Sequence, residues 1–411
     1  MKTLFRTASF AMRRRGGALS GSMDRKPWIR LHYRWPATML CLTAALVLGS
    51  LPAASSGATR HHVSSKASQK AWWSYLPGSY LHRPASKRKR THKGRKSGSG
   101  HTHKSGSGGT PAPRPLPGPG SLTMGTFTNS SGTRAYQMYI PTTYKAGAAV
   151  PLVVALHGCT ETADSYRQLS QWDKLAQQKG FIVVFPQQGS SDNYLECWNW
   201  FLQPDMSRGS GEPAIIAGIT NWVQQHYSVD RARTYVAGFS AGGAMTSVMA
   251  ATYPDVYAAA GVGDGCEYAA TPECAGYQSA DPTQAGQSAY TAMGSHARMM
   301  PVIAFQGDQD QVVPPANGQQ LVQQWQTTDG LVAHTTLSTW PKSSYGWSPG
   351  GRTYTVSSYS DPSGHDLIDY WVVHGMGHAW SGGSSTAQYS DPSGPDETAA
   401  MYAFFLSHPM G

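Results

Sequence analysis

The sequence predicts an α/β fold, in which a mainly parallel, doubly wound sheet is preceded by a disordered, basic N-terminal segment. Two observations predict it. From about residue 122 onwards, short apolar or alternating runs take turns with stretches of helical period, and strands that alternate with helices form mainly parallel sheets. Before residue 122 the chain is of low complexity and holds 22 Lys and Arg against one acidic residue, Asp24.

The charge of the chain is divided between these two parts. Residues 122–411 hold 11 Lys and Arg and 22 Asp and Glu, so the formal charge is +21 before residue 122 and −11 from there on. The net charge of +10 therefore describes neither part. The acidic part is long enough for one large α/β domain.

The elements of the acidic part follow from local patterns. It opens with a hairpin, because alternating runs flank the turn signal at 129–132. Continuous apolar runs such as 150–156 suit strands that are buried on both faces. The predicted strands are 122–128, 133–140, 150–156, 181–185, 233–237, 257–262, 301–305, 331–340, 352–359 and 366–373. The predicted helices are 166–178, 212–225, 243–251, 317–327 and 395–406.

Residues 1–58 have the order of a secretory signal peptide. Residues 35–59 carry no charge, 39–51 are mostly apolar, basic residues precede them and small residues follow at 53–58. Met23 is an alternative start that gives a more usual basic region. An uncleaved membrane anchor is the alternative, but the apolar core is short for a span, which favours cleavage. We expect a secreted protein, extracellular or periplasmic, with no stable membrane span.

Residues 59–121 are predicted to be a disordered linker. They are basic and rich in Pro, Gly and Ser, and they cannot bury enough apolar surface to fold. Trp72 and Trp73 interrupt this composition. An adhesion role, in which the basic segment binds an anionic polymer or surface, is the non-enzymatic alternative for this protein. We predict no specific nucleic-acid partner.

Four cysteines follow the signal region: Cys159, Cys197, Cys266 and Cys274. An even number in an exported chain indicates two disulfides, for which three pairings exist. We favour Cys266–Cys274, which closes a short loop, and Cys159–Cys197. No ligand-like spacing of Cys and His is present in the sequence, so we expect neither a metal nor another cofactor.

The run Gly238–Gly242 (GFSAG) fits G-x-S-x-G, the nucleophile elbow of α/β-hydrolases. A predicted strand precedes it and a predicted helix follows it, which is the context that the motif requires. Ser240 is therefore the candidate nucleophile. A glycine-rich turn after a buried strand is the alternative interpretation.

An acid and a histidine are expected later in the chain, in that order. Asp310 follows the predicted strand 301–305 and is our candidate acid, with Asp308 as the alternative. His378 lies in a glycine-containing loop after the last predicted strand and is our candidate base. His374 and His365 are its competitors.

The oxyanion of an acyl-transfer reaction needs two N–H donors. Ala241, directly after the nucleophile, and Cys159, in the loop after strand 150–156, are the candidates. Trp198, Trp200 and Trp380 are candidate substrate contacts. For Trp198 and Trp200, core packing beneath the loop is an equally good interpretation.

Several runs together resemble one family: LVVALHGC (152–159), GFIVVFP (180–186), CWNWF (197–201), GFSAGGAM (238–245), YPDV (253–256), GDQDQVVP (307–314) and GHAWSG (377–382). With them, residues 121–411 resemble the polyhydroxybutyrate depolymerase-type esterases, which include feruloyl and acetylxylan esterase relatives. The resemblance implies the α/β-hydrolase fold. It also implies Ser240 as nucleophile, Asp310 as acid, His378 as base, and Cys159 and Ala241 as oxyanion donors.

This chain departs from the family in three ways. Gln306 stands where the family often has His, and the segment 261–298 carries its own cysteine pair. No Thr-rich linker or polymer-binding module follows His378, which favours a soluble esterase over a granule-bound one. We therefore expect residues 122–411 to be a serine carboxylic ester hydrolase acting on hydroxyalkanoate esters. The alternatives are a feruloyl or acetylxylan carbohydrate esterase and, less favoured, a peptidase.

Overall fold

The computed structural model describes residues 116–276 and 281–411. The predictions of a signal region at 1–58 and of a basic linker, except for its last residues 116–121, lie outside the described residues. Within the described part, no helix combines the length and the apolar character needed to span a bilayer.

The described residues form a ten-stranded sheet in the order β1-β2-β4-β3-β5-β6-β7-β10-β9-β8. The six central strands are parallel, and an antiparallel pair lies at each edge. The strands are β1 Ser121–Asn129, β2 Gly132–Ile140, β3 Val150–Leu156, β4 Ile182–Pro186, β5 Val229–Phe239, β6 Ala260–Gly263, β7 Val302–Gly307, β8 Lys342–Trp347, β9 Thr353–Ser360 and β10 Asp366–Val373. Two-residue strands β11 Trp380–Ser381 and β12 Ser390–Asp391 pair separately.

Helices cover both faces of this sheet. They are α1 Ala163–Ser170, α2 Trp172–Lys179, α3 Gly211–His226, α4 Ala241–Thr252, α5 Pro282–Met293, α6 Pro315–Val332 and α7 Glu397–Ser407. Alternate residues of β3 enter two separate cores. Leu152 and Val154 pack with apolar side chains of α3 to α6, whereas Val153 and Ala155 pack with those of α1, α2 and α7. The doubly wound sheet is thus the predicted one.

Two predicted elements were wrong. The helix predicted at 166–178 is broken into α1 and α2, because Gln171 takes a left-handed conformation with φ 58°. The strand predicted at 331–340 does not form. Leu331 and Val332 finish α6, and the chain then turns back on that helix end, where the Thr335 amide donates to the Gly330 carbonyl at 2.9 Å.

The structure contains the two favoured disulfides, Cys159–Cys197 and Cys266–Cys274. The first joins the loop after β3 to the segment after β4. The second closes a short loop after β6. Both loops lie where parallel strands end, which is the edge of the sheet where such folds place their sites.

Candidate active site

Ser240 occupies a sharp turn between β5 and α4, with φ 55° and ψ −118°. This conformation is unfavourable for a residue with a Cβ, and it is held by the surrounding packing. A Cβ at Gly238 would lie 2.2 Å from the Gly242 carbonyl oxygen, and one at Gly242 would lie 2.1 Å from the Leu156 carbonyl oxygen. The two glycines of the motif are therefore required by close backbone contact.

His378 and Asp310 meet at Ser240. His378 Nε2 lies 2.9 Å from Ser240 Oγ, and His378 Nδ1 lies 2.7 Å from Asp310 Oδ2. Asp310 Oδ1 accepts the amides of Val312 and Val313 at 2.7 and 2.9 Å. Because an ionised carboxylate only accepts hydrogen bonds, Nδ1 carries the proton and the Nε2 lone pair faces the serine hydroxyl.

Burial and charge act in opposite directions on His378. Burial lowers the pKa of its imidazole, while the hydrogen bond to Asp310 and the charges of Asp310 and Asp264 raise it, and the net shift is upward. The arrangement therefore favours the imidazolium that would form when the histidine takes a proton from Ser240.

The competing residues lie outside this arrangement. Asp308 accepts from His374 Nδ1 at 3.0 Å and from the Gly375 amide at 2.7 Å, and His374 Nε2 contacts Thr355 Oγ1. His365 is largely exposed and faces Asp361. Neither histidine bonds Ser240.

The two predicted oxyanion donors line one pocket with Ser240. Ala241 begins α4, so its amide has no acceptor within the helix. The Gln188 amide donates to His157 Nε2, so His157 Nδ1–H donates to the Gly158 carbonyl oxygen at 2.8 Å. In a trans peptide the N–H points opposite to the C=O, so this bond turns the Cys159 N–H away from His157.

The pocket at Ser240 has a volume of about 270 Å³ and is mostly apolar. Its lining includes cysteines of both disulfides and the side chains of Leu195, Trp200, Phe239, Val312 and Tyr389. Among the described residues that line it, none is Asp, Glu, Lys or Arg. A neutral, short acyl group fits such a lining.

Only one of the three predicted tryptophan contacts reaches this pocket. Trp200 lines it, whereas Trp198 and Trp380 are fully buried elsewhere. Trp198 packs against the His157 ring, and Trp380 packs against Phe239 and donates its indole N–H to Thr398. Trp198 and Trp380 therefore belong to the hydrophobic core of the described residues.

Sequence reasoning missed three buried polar residues beside the site. His157 has its pKa lowered to about 4 by burial and is thus neutral. Glu161 accepts the Gly158 amide at 2.8 Å, and burial raises its pKa to about 7. Asp264 follows β6 at the same sheet edge as Asp310, and that strand-end position was the available signal.

The family of this chain follows from its sequence matches. A sequence model described as esterase PHB depolymerase matches residues 134–339. The chain belongs to this family. The chain is 35% identical over 263 residues to poly(3-hydroxyalkanoate) depolymerase C of Paucimonas lemoignei. This match covers 62% of the chain and 60% of that protein, so the chain spans less than two thirds of its relative's length. It is 31% identical over 288 residues to acetylxylan esterase A of Talaromyces purpureogenus, covering 64% and 72%.

The fold of the described residues is that of a solved structure, an acetyl xylan esterase from Aspergillus awamori. The two superpose with a TM-score of 0.55 at 22% identity, over 69% of this chain and 99% of the other. With the parallel central sheet and the elbow at Ser240, this is the α/β-hydrolase fold.

Proposed function

We propose that this protein is a secreted serine carboxylic ester hydrolase that works through an acyl-enzyme at Ser240. The observation that carries the proposal is the hydrogen-bonded series from Ser240 Oγ through His378 to Asp310, at 2.9 and 2.7 Å. The series opens into an apolar pocket beside two candidate oxyanion donors.

The reaction proceeds in two steps. Ser240 Oγ attacks the ester carbonyl carbon while His378 Nε2 takes the hydroxyl proton, and the tetrahedral oxyanion accepts the amides of Cys159 and Ala241. The imidazolium then gives its proton to the leaving alcohol. Water, activated by the same histidine, hydrolyses the acyl-enzyme and releases the acid. Asp310 holds the Nδ1–H tautomer throughout.

Hydroxyalkanoate esters are the proposed substrates. The support is the small pocket with its neutral lining, together with the likeness to a protein named poly(3-hydroxyalkanoate) depolymerase C. The second candidate is a feruloyl or acetylxylan carbohydrate esterase, which the likeness to an acetylxylan esterase favours. An acetyl group also fits the pocket.

The test compares kcat/KM on hydroxybutyrate oligomers, p-nitrophenyl acetate and butyrate, acetylated xylan and methyl ferulate, with Ser240→Ala as the control for contaminating esterases. Preference for the oligomers supports the first proposal. Preference for acetylated xylan or ferulate assigns a carbohydrate esterase, and the absence of hydrolysis on every ester contradicts both.

We propose that the protein is exported from the cytoplasm. The two disulfides support this location, because disulfides form in oxidising compartments. The adhesion role of residues 59–121 stays a separate proposal. Retention on an anionic resin, compared with a variant that lacks these residues, tests it, and equal retention contradicts it.

The activity is expected to fall at acid pH. Only neutral His378 accepts the serine proton, so kcat/KM declines as the pH falls through the pKa of His378, which Asp310 and Asp264 raise. The acid limb of a pH profile should therefore lie above the ordinary histidine pKa of ~6.5. A limb well below that value would contradict the charge arrangement.

Removing the Cys159–Cys197 disulfide is expected to reduce both stability and kcat. The bond closes a span of 38 residues, and loss of such a cross-link costs about 3–4 kcal/mol of unfolding free energy. It also frees the Cys159 amide, a proposed oxyanion donor. Denaturant unfolding of the double variant Cys159→Ser/Cys197→Ser measures the loss of stability, and its kcat measures the loss of activity. An unchanged kcat in the folded variant would show that the loop carrying Cys159 does not supply an oxyanion donor.

A further inference from the structure

The buried carboxylate of Asp264 joins two loops of the site. Asp264 Oδ1 accepts the Gly307 amide at 2.9 Å, and Oδ2 accepts the Ala379 amide at 3.0 Å. Gly307 ends β7, three residues before Asp310, and Ala379 directly follows His378. One carboxylate therefore ties the loop that carries the base to the strand that leads to the acid.

The backbone of Asp264 is held in an unusual conformation. Its φ is 41°, in the left-handed region that residues with a Cβ adopt uncommonly. Its amide donates to the Phe305 carbonyl of β7 at 2.9 Å. Only 1% of the residue is exposed. Backbone strain of this kind persists where the surrounding structure holds it, and it clusters at functional sites.

Asp264 also lies close to the reacting groups. Three polar atoms lie within 4.8 Å of one another: a carboxylate oxygen of Asp264, a carboxylate oxygen of Asp310 and a ring nitrogen of His378. Glu397 of α7 and Tyr370 of β10 are the other titratable groups that interact with Asp264. Burial, and then the charge of Asp310, raise the pKa of Asp264, while His378 lowers it.

We propose that Asp264 is a second positioning carboxylate for His378. Through the Ala379 amide it holds the imidazole in line with Ser240. Its negative charge, which the Gly307 and Ala379 amides stabilise against the cost of burial, supplements that of Asp310 when the imidazolium forms. This inference rests on the proposed ester hydrolysis. It gives Asp264, which follows the end of β6 beside the end of β7, a role in the same proton transfer.

Asp264→Asn is the direct test. Asn has the same size and tolerates left-handed φ, but it removes the charge and one of the two acceptors. We expect kcat to fall about tenfold or more with KM within about twofold of wild type, since the interaction matters in the transition state. We also expect the acid limb of kcat/KM to move about one unit to lower pH, because the charge that favours protonated His378 is lost.

Asp329→Asn is the matched control. Asp329 is also a fully buried carboxyl that accepts one backbone amide, from Met300 at 2.8 Å, but it lies at the opposite end of β7. It should lose stability without a shift of the acid limb. If Asp264→Asn does not fold, Asp264→Gly, which is unstrained at this φ, is expected to show the same shift.

An NMR titration of His378 separates this inference from the proposed function. The pKa of the imidazole, assigned with His378→Gln, is expected to be lower in Asp264→Asn than in wild type, whether or not esters are hydrolysed. An unshifted His378 pKa and acid limb, or an equal shift in Asp329→Asn, would overturn the proposal. Loss of activity without either shift would also overturn it, because that result indicates a purely structural residue.

Discussion

Ser240→Ala is expected to lower kcat by about 10⁶-fold, to a level set by the oxyanion donors and binding alone. The physical reason is that Ser240 Oγ is the atom that would form the acyl bond, and it lies 2.9 Å from the base. No other described hydroxyl bonds His378. KM should change little, because the apolar lining of the pocket remains.

The loss must be separated from unfolding, because Ser240 has a positive φ that alanine tolerates no better. Thermal unfolding and circular dichroism of the variant serve for this purpose. Ser247→Ala is a matched control on the same helix: Ser247 is buried and donates to the Cys266 carbonyl, away from His378. A folded Ser240→Ala protein with substantial activity would exclude Ser240 as nucleophile.

Asp310→Asn is expected to lower kcat by about 10⁴-fold. Asp310 Oδ2 accepts the Nδ1 proton of His378, and Gln306 Nε2 also approaches this oxygen at 3.3 Å. An amide in this place can present its NH₂ group to the ring, which favours the wrong tautomer and leaves the proton on Nε2. The histidine then has no lone pair for Ser240.

Asp308→Asn provides the control for this experiment. Asp308 is two residues away, belongs to the same loop and also accepts from a histidine, but that histidine is His374. Its replacement should leave kcat within about twofold of wild type, since it does not touch His378. Equal losses in the two variants would show that the loop, and not the Asp310 carboxylate, is what the reaction requires.

The local sequence predicted the parts of the site that depend on strand ends. Val150–Leu156 is apolar throughout and forms a central strand, and the G-x-S-x-G run lies at the predicted strand–helix turn. Asp310 and His378 were placed by chain order, and the fold brings them to Ser240 because parallel strands end at one edge.

Other features depend on tertiary packing, which local pattern does not contain. The apolar period of residues 166–178 continues through Gln171, where the chain nevertheless breaks into two helices. The aromatic run at 197–201 does not show which ring faces the pocket. In the folded protein Trp198 packs in the core, where it contacts His157, and Trp200 lines the pocket. Asp264 is separated from His378 by more than 100 residues, so its contact with the histidine loop arises only in the folded sheet.

Covalent trapping tests most directly whether Ser240 is the nucleophile. The protein would be treated with a fluorophosphonate ester, digested and analysed by mass spectrometry. We expect one adduct per chain, on the peptide that contains Ser240, with ester hydrolysis lost in proportion to labelling, and no adduct in His378→Ala. An adduct on another residue, or full activity in protein that is labelled at Ser240, would contradict the assignment of Ser240 as the nucleophile.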